Sequence, residues 1–262
     1  MQRLLNWWAW TELALLVIIG TPIVALVFIV TAPFDPGRYA AGRTFRLVAV
    51  AAMRLNGLWK FQVRGALKDA RRPYVVVANH ESYADIFLIS CFPWEMKWMS
   101  KDTMFKIPFM GWMMRMAGDI KLIRGRRESA IDAINQCRDR LKKKVSIMIF
   151  PEGTRSRTWE MLPFKDGAFR LAIEAGAPVL PIAVVGTRGA MAKGTFRFLP
   201  ARAIAQTLEP VDTSEMTLAD IPKLKEIVRD RIEAGRLALA LELGIRPETV
   251  GRDEPADDTV GE

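Results

Sequence analysis

Residues 13 to 32, "LALLVIIGTPIVALVFIVTA", run for twenty positions without a charged side chain, about the length a helix needs to cross the hydrocarbon core of a bilayer. Trp7, Trp8 and Trp10 precede the run, and Arg38, Arg43, Arg46, Arg54 and Lys60 follow it. Indoles suit a membrane interface, and the cationic flank predicts that the rest of the chain lies on the cytoplasmic side. A cleaved secretory signal fits poorly: the run is too long, only Arg3 precedes it, and Pro33 follows Ala32, the plausible small-residue cleavage point. Pro22, in mid-run, is a kink position. Residues 37 to 59 mix arginines with Phe45, Leu47, Val48, Val50, Met53, Leu55, Leu58 and Trp59, a pattern that predicts a basic amphipathic helix lying against a membrane. The pattern leaves open whether the first helix spans the bilayer or dips into one leaflet as half of a hairpin.

From residue 73 the pattern changes to short apolar runs separated by helical stretches. Tyr74 to Ala78, Met96 to Met99, Ile120 to Ile123, Val145 to Phe150 and Val179 to Val185 predict strands, mostly buried on both faces. Residues 127–143, 166–175 and about 219–243 carry helical spacing, and the alternation predicts an α/β fold with a mixed, largely parallel sheet flanked by helices. The expected organisation is a membrane-binding helical segment over 1–60, a catalytic body over 61–245 and a disordered acidic tail over 246–262.

Composition sharpens this outline. A chain of 262 residues, half apolar and a quarter charged, buries a substantial core and is neither disordered nor polytopic. The tail from Arg246 carries six acidic side chains against two basic ones, so removing its net −4 from the overall +9 leaves +13 on the body. Such a balance favours anionic partners. Nucleic acid accounts for the charge but not for the apolar helix, and is set aside. Cys91 and Cys137 lack metal-ligand spacing and read as buried thiols in a reducing compartment.

The chain holds one histidine, His80, in "NHESYAD", just past a strand end, where open α/β sheets build their sites. On a continuous helix His80 and Asp85 would point about 140° apart, so they meet only if the chain turns between them. Ser82 followed three residues later by Asp85 matches a capping box opening a helix from Ala84 to Cys91. An aspartate there is able to fix one imidazole nitrogen and leave the other as a base. Capping alone would also explain it.

Two other strand ends carry arginine. "IFPEGTRSR" (149–157) closes a buried strand with a Gly153 turn and supplies Arg155 and Arg157, while "GDIKLIRG" (118–125) runs into Arg124. Guanidinium groups suit a phosphate, and two strands of one sheet that each deliver one suggest a common anion site. No G-x-S-x-G elbow occurs, and one histidine cannot supply the H-E-x-x-H of a zinc hydrolase; no metal is expected.

Together these stretches resemble the 1-acylglycerol-3-phosphate acyltransferase family, within the HxxxxD glycerolipid acyltransferases. Asn79, His80 and Asp85 match the HxxxxD box; Gly118, Ile120 and Arg124 match the second block, where Ile123 replaces the usual Asp; Phe150 to Arg155 match the third in full; and Val179 to Ile182 match the fourth. The resemblance covers roughly residues 60 to 210. It implies acyl transfer from acyl-carrier protein or acyl-CoA, with no cofactor, to the 2-hydroxyl of lysophosphatidic acid, forming phosphatidic acid at a cell inner membrane. His80 would be the base and Asp85 its orienting carboxylate, with Asn79 and Ser82 in support. Arg124 and Arg155 would hold the acceptor phosphate, helped by Gly153 and Thr154, with Glu152 placed in the acceptor site on the resemblance only. Lys101 reads equally as a phosphate contact or a solvated lysine. The Met-rich stretch from Phe105 to Met116 reads as core or as an adaptable wall for an acyl chain, and "RDRLKKK" (138–144) as a solvated helix end or a landing patch for anionic lipid or an acidic carrier. Another lyso-lipid acceptor, such as lyso-ornithine lipid, and a non-catalytic membrane lipid-binding protein are the rival readings.

Overall fold

The computed structural model describes residues 2–67, 69, 72–191 and 197–250. Two helices come first, α1 (Gln2–Thr31) and α2 (Tyr39–Leu55). Asn56 ends α2 by folding its side-chain oxygen back onto the N–H groups of Leu58 and Trp59, at 2.8 and 3.3 Å. The chain therefore leaves the helix and enters a strand, β1 (Trp59–Arg64), so that the expected boundary at residue 60 falls inside a strand. There follow β2 (Val75–Ala78), α3 (Ala84–Ser90), β3 (Met96–Lys101), α4 (Met110–Ala117), β4 (Ile120–Leu122), α5 (Arg127–Lys142), β5 (Ser146–Ile149), α6 (Gly167–Ala175), β6 (Val179–Val185), β7 (Ala201–Thr207) and α7 (Ile221–Leu243).

The seven strands form one sheet in the order β1-β7-β6-β2-β5-β3-β4. Every neighbouring pair is parallel except β6 with β7. Strands β2, β5 and β6 are buried along their whole length, as expected where helices cover both faces of a parallel sheet. Side chains alternate across the sheet. Val75, Val77, Ile147 and Ile149 face α5, α6 and α7, while Val76, Met148, Leu180 and Ile182 face Leu88, Ile89, Phe92 and Trp94 around α3. Helix α5 meets its face through Ala133, Cys137 and Leu141, four apart and all buried. Burial pushes the Cys137 thiol up to about 12; Cys91 is only half-buried.

Helices α1 and α2 are part of this body. By length and composition, Arg3–Thr31 is long and apolar enough to cross a membrane. The helix packs along α2 and α4. Near its start Asn6 accepts the Phe198 N–H at 2.6 Å and Trp10 meets Phe198 edge-on at 5.1 Å; near its end Phe28 lies under the Arg38 guanidinium, 5.1 Å away. Arg38 in turn donates to the Arg115 carbonyl of α4 at 2.6 Å. Touching the folded body at both ends, α1 lies alongside it.

Arg46 departs from the expectation of a membrane-facing α2. It is buried, paired with Asp119 and 3.8 Å from Glu95, which itself bonds Lys97 at 3.0 Å. An arginine is tolerated inside only with such partners, and this one docks α2 onto the sheet. The tail expected over 246–262 lies outside the described residues from 251 on; Pro247–Thr249 form a short 3-10 turn.

Candidate active site

The C-terminal ends of four adjacent strands converge on one cavity of about 520 Å³. His80 follows β2, Lys101 ends β3, Arg124 follows β4 and the Gly153–Thr154–Arg155 turn follows β5; all of them line it. Thr187, following β6, reaches the same region from behind.

The position of His80 is fixed from all sides. Asn79 places its amide against β6, donating to the Val184 carbonyl at 2.8 Å and accepting the Val184 N–H at 2.9 Å, as a further rung of the ladder would. The His80 N–H donates to Glu152 Oε1 at 2.8 Å and its carbonyl accepts the Ser156 N–H at 2.9 Å. The imidazole stacks on Phe150, with centroids 3.9 Å apart and planes 13° from parallel. Its Nδ1 lies 2.7 Å from Asp85 Oδ2. That contact assigns the proton to Nδ1 and leaves Nε2 as the basic nitrogen.

Asp85 is fully buried, and every direction around its carboxylate is used. Oδ2 also accepts the Glu81 and Ser82 N–H groups at 2.8 and 3.0 Å, and Oδ1 accepts the Thr187 hydroxyl. The expected capping box forms only in part. Asp85 returns to the Ser82 N–H, but the Ser82 hydroxyl accepts from Ala84 at 3.2 Å and donates to the Met191 carbonyl at 2.8 Å. With Oγ engaged by Met191, the first helical residue is Ala84 with Tyr83 at the cap, so Ser82 ties the turn to the 187–191 segment. Thr187 carries no signal of its own in the sequence. The glycine before it does: Gly186 has φ +95°, and a Cβ there would stand 2.2 Å from the Arg202 carbonyl oxygen.

Glu152, which the resemblance implies in the acceptor site, does not line the cavity. It is buried, with Oε1 on the His80 N–H and Oε2 on the Leu162 N–H at 2.8 Å each. Burial raises its pKa, opposed by those two N–H groups. Both of its oxygens are thus taken by backbone donors, one of them the N–H of His80 itself. Glu81, also buried, has its pKa pushed up to about 7 by burial and moderated by Arg188, while Asp85 adds to the rise; Arg236 of α7, 3.7 Å away, lowers it further. Arg188 holds the Ser156 and Thr158 carbonyls at 2.7 and 2.8 Å and so fixes the loop that follows Arg155.

Arg155 stacks on the Tyr83 ring, 3.9 Å from its centroid, a cation–π contact that directs the guanidinium. Arg157 is exposed and outside the cavity lining. Lys165 is a cation of the wall that the motifs do not include: it lines the cavity, and its ammonium passes 2.9 Å from where a Gly153 side chain would begin. Gly153 has φ +72°, so glycine suits this turn both for its backbone and for the lysine it lets by. The lining also has an apolar part, with Ile86, Met99, Met110, Met114 and Ile134. Two of the methionines come from the stretch that forms α4. The cationic run 138–144 closes α5 and begins four residues, about 6 Å at 1.5 Å per residue, beyond Ile134 of the cavity lining; Arg138 and Lys142 line a separate cavity of about 230 Å³. Among the described residues no group of three or more His, Cys, Asp or Glu stands together as a metal site.

Comparison with known proteins agrees with the geometry. The Acyltransferase family matches residues 60–185. A 1-acyl-sn-glycerol-3-phosphate acyltransferase of Saccharomyces cerevisiae is 38% identical over 175 residues, 65% of this chain and 58% of that protein. The alpha form from Mus musculus is 34% identical over 71% of this chain and 67% of its own length. The crystal structure of the 1-acyl-sn-glycerophosphate (LPA) acyltransferase PlsC from Thermotoga maritima superposes with a TM-score of 0.77 at 26% identity, covering 91% of this chain and 95% of that one. The chain spans 58% and 50% of the yeast and Arabidopsis thaliana relatives it matches. A histidine–aspartate pair seated at a cationic cavity, within a sequence shared at this level with those enzymes, settles the family: the chain belongs to the 1-acyl-sn-glycerol-3-phosphate acyltransferases.

Proposed function

We propose that the chain transfers an acyl group from acyl-carrier protein or acyl-CoA to the 2-hydroxyl of 1-acylglycerol-3-phosphate, forming phosphatidic acid at the cytoplasmic side of an inner membrane on which α1 rests. The observation that carries this reading is the His80–Asp85 pair, 2.7 Å apart, at a cavity whose wall holds Lys101, Arg124, Arg155 and Lys165. A phosphate seated on those cations brings its glycerol hydroxyl towards Nε2 of His80. Nε2 takes the hydroxyl proton as the oxygen attacks the thioester carbonyl carbon, and Asp85 balances the imidazolium that forms. When the tetrahedral intermediate collapses, the C–S bond breaks and the departing thiolate takes the proton from Nε2. A general base of this kind contributes roughly 10²- to 10⁴-fold. The thiolate is already a good leaving group, so the step needs no protein nucleophile. The apolar wall with Met110 and Met114 suits a flexible acyl chain.

The test is an assay of the purified protein in detergent with labelled acyl donors and a panel of lyso-lipids. Transfer to 1-acylglycerol-3-phosphate in preference to lyso-ornithine lipid and to lysophospholipids without a terminal phosphate is the expected result. Transfer to another acceptor with none to 1-acylglycerol-3-phosphate overturns it.

A further inference from the structure

The turn after β4 carries more charge than the cavity needs. From Lys121 to Glu128 the sequence reads "KLIRGRRE", and Lys121, Arg124, Arg126 and Arg127 are all exposed, with Glu128 the one carboxylate among them. Arg124 lines the cavity, and Arg126 and Arg127 stand at the first turn of α5. Cations there face the positive end of the helix dipole, which disfavours them. Among the described residues none of the four has an ion-pair partner. The opposite end of α5 is treated differently: Arg138 pairs with Glu174 at 2.5 Å and Lys143 with Asp139 at 2.8 Å. Three cations of that end, Arg138, Arg140 and Lys143, thus have a carboxylate partner, whereas none of the four at the cavity end does.

The direction in which this patch faces selects its partner. Helix α1 packs with α2 and α4, and α2 with α3, on one side of the sheet, whereas α5 packs with α6 on the other. Arg124, Arg126 and Arg127 therefore border the cavity from the side of the sheet away from the apolar helix. We infer that Arg124, Arg126 and Arg127 form the docking surface for an acidic carrier protein, which delivers its thioester arm over Arg124 into the cavity. The inference rests on the proposed acyl transfer. It goes further by assigning the donor and the face from which it arrives. Complementary charge at such a surface acts on encounter and register more than on chemistry.

The experiment compares donors on the full chain in phosphatidylglycerol-containing vesicles. Reversing Arg126→Glu and Arg127→Glu together is expected to raise KM for the acyl-carrier protein about ten-fold at low ionic strength, leaving kcat and the KM for acyl-CoA within about two-fold. The difference should close as salt rises towards 0.5 M, as exposed charges are screened. Reversing Lys142→Glu and Lys143→Glu at the other end of α5 should change neither donor. An equal rise for both donors would mean that the patch holds the thioester's own phosphates, and loss of vesicle binding with unchanged donor kinetics would mean that it meets lipid. Either result overturns the inference, as does no change for either donor. A wild-type protein that uses acyl-CoA but not the carrier protein overturns the docking surface alone; one that uses neither removes the acyl-transfer reading and the surface with it.

Discussion

Replacing Glu152 by glutamine separates two jobs that a carboxylate beside a phosphate site is able to do. In the structure both oxygens accept backbone N–H groups, from His80 and from Leu162, at 2.8 Å each. Glutamine keeps the shape but turns one acceptor into an NH₂ donor, so one of those N–H groups faces another donor. An orphaned buried donor costs about 1–3 kcal/mol. At a middle value near 2 kcal/mol, a protein of this size should melt roughly 4–8 °C lower. If the bond to His80 is the one lost, the imidazole is released from one side, and small displacements of a catalytic group cost about 10- to 100-fold in rate. The expected signature of Glu152→Gln is therefore a lower Tm and a lower kcat with the acceptor KM unchanged, read by thermal melting in detergent and by steady-state kinetics with the acceptor varied. A raised acceptor KM, with kcat and Tm at wild-type values, would return Glu152 to the acceptor site and refute the positioning role.

Three further outcomes follow from the same geometry. His80→Ala should lose at least 100-fold in turnover, as expected for a general base, while melting within a few degrees of wild type; retained turnover removes His80 from the chemistry. Arg155→Ala and Lys165→Met should each raise the acceptor KM several-fold with little change in donor KM, and unchanged acceptor kinetics in both would place the phosphate elsewhere. The Glu81 carboxyl, pushed from its ordinary 4.5 to about 7, holds its proton to higher pH when folded than when unfolded. Ionising it therefore removes stability as pH rises from about 4.5 to about 7, by on the order of 3 kcal/mol. Against Glu81→Gln, the wild-type Tm should fall between pH 5 and pH 8, and parallel melting curves would show that Glu81 does not titrate in that window.

Much of this architecture is legible in the chain because the central strands are buried on both faces: "VVVA", "SIMI" and "VLPIAVV" hold a single polar residue, Ser146. The outer strands are harder. β1, "WKFQVR", alternates apolar and polar residues as a half-exposed strand should, but a helical reading of 37–59 runs over its first residue, and β7, "ARAIAQT", has only one bulky apolar side chain. The histidine, its aspartate and the cationic strand ends stand in the sequence because each lies within a few residues of a recognisable turn. What holds them does not. Glu152 is 72 residues from His80 and Thr187 is 102 from Asp85, and no local spacing reports which distant oxygen a backbone N–H will find. Arg46 misleads for the same reason: among the apolar residues of an amphipathic helix it reads as a lipid-facing cation, and only the fold reveals Asp119 on the other side of it.

The arrangement of strands also sets a timetable for synthesis. β2, which carries His80, lies between β5 and β6, and the hydroxyl that completes Asp85 is made 102 residues after it. At ribosomal rates of about 5–20 residues per second, that gap lasts roughly 5–20 s. Helix α1 is finished before any strand exists, and β1 waits for β7 almost to the end of the chain. The apolar helix is thus made before every strand, and the active site is complete only once Thr187 has followed β6, so the hydrophobic segment meets its surroundings well before a working catalyst stands behind it.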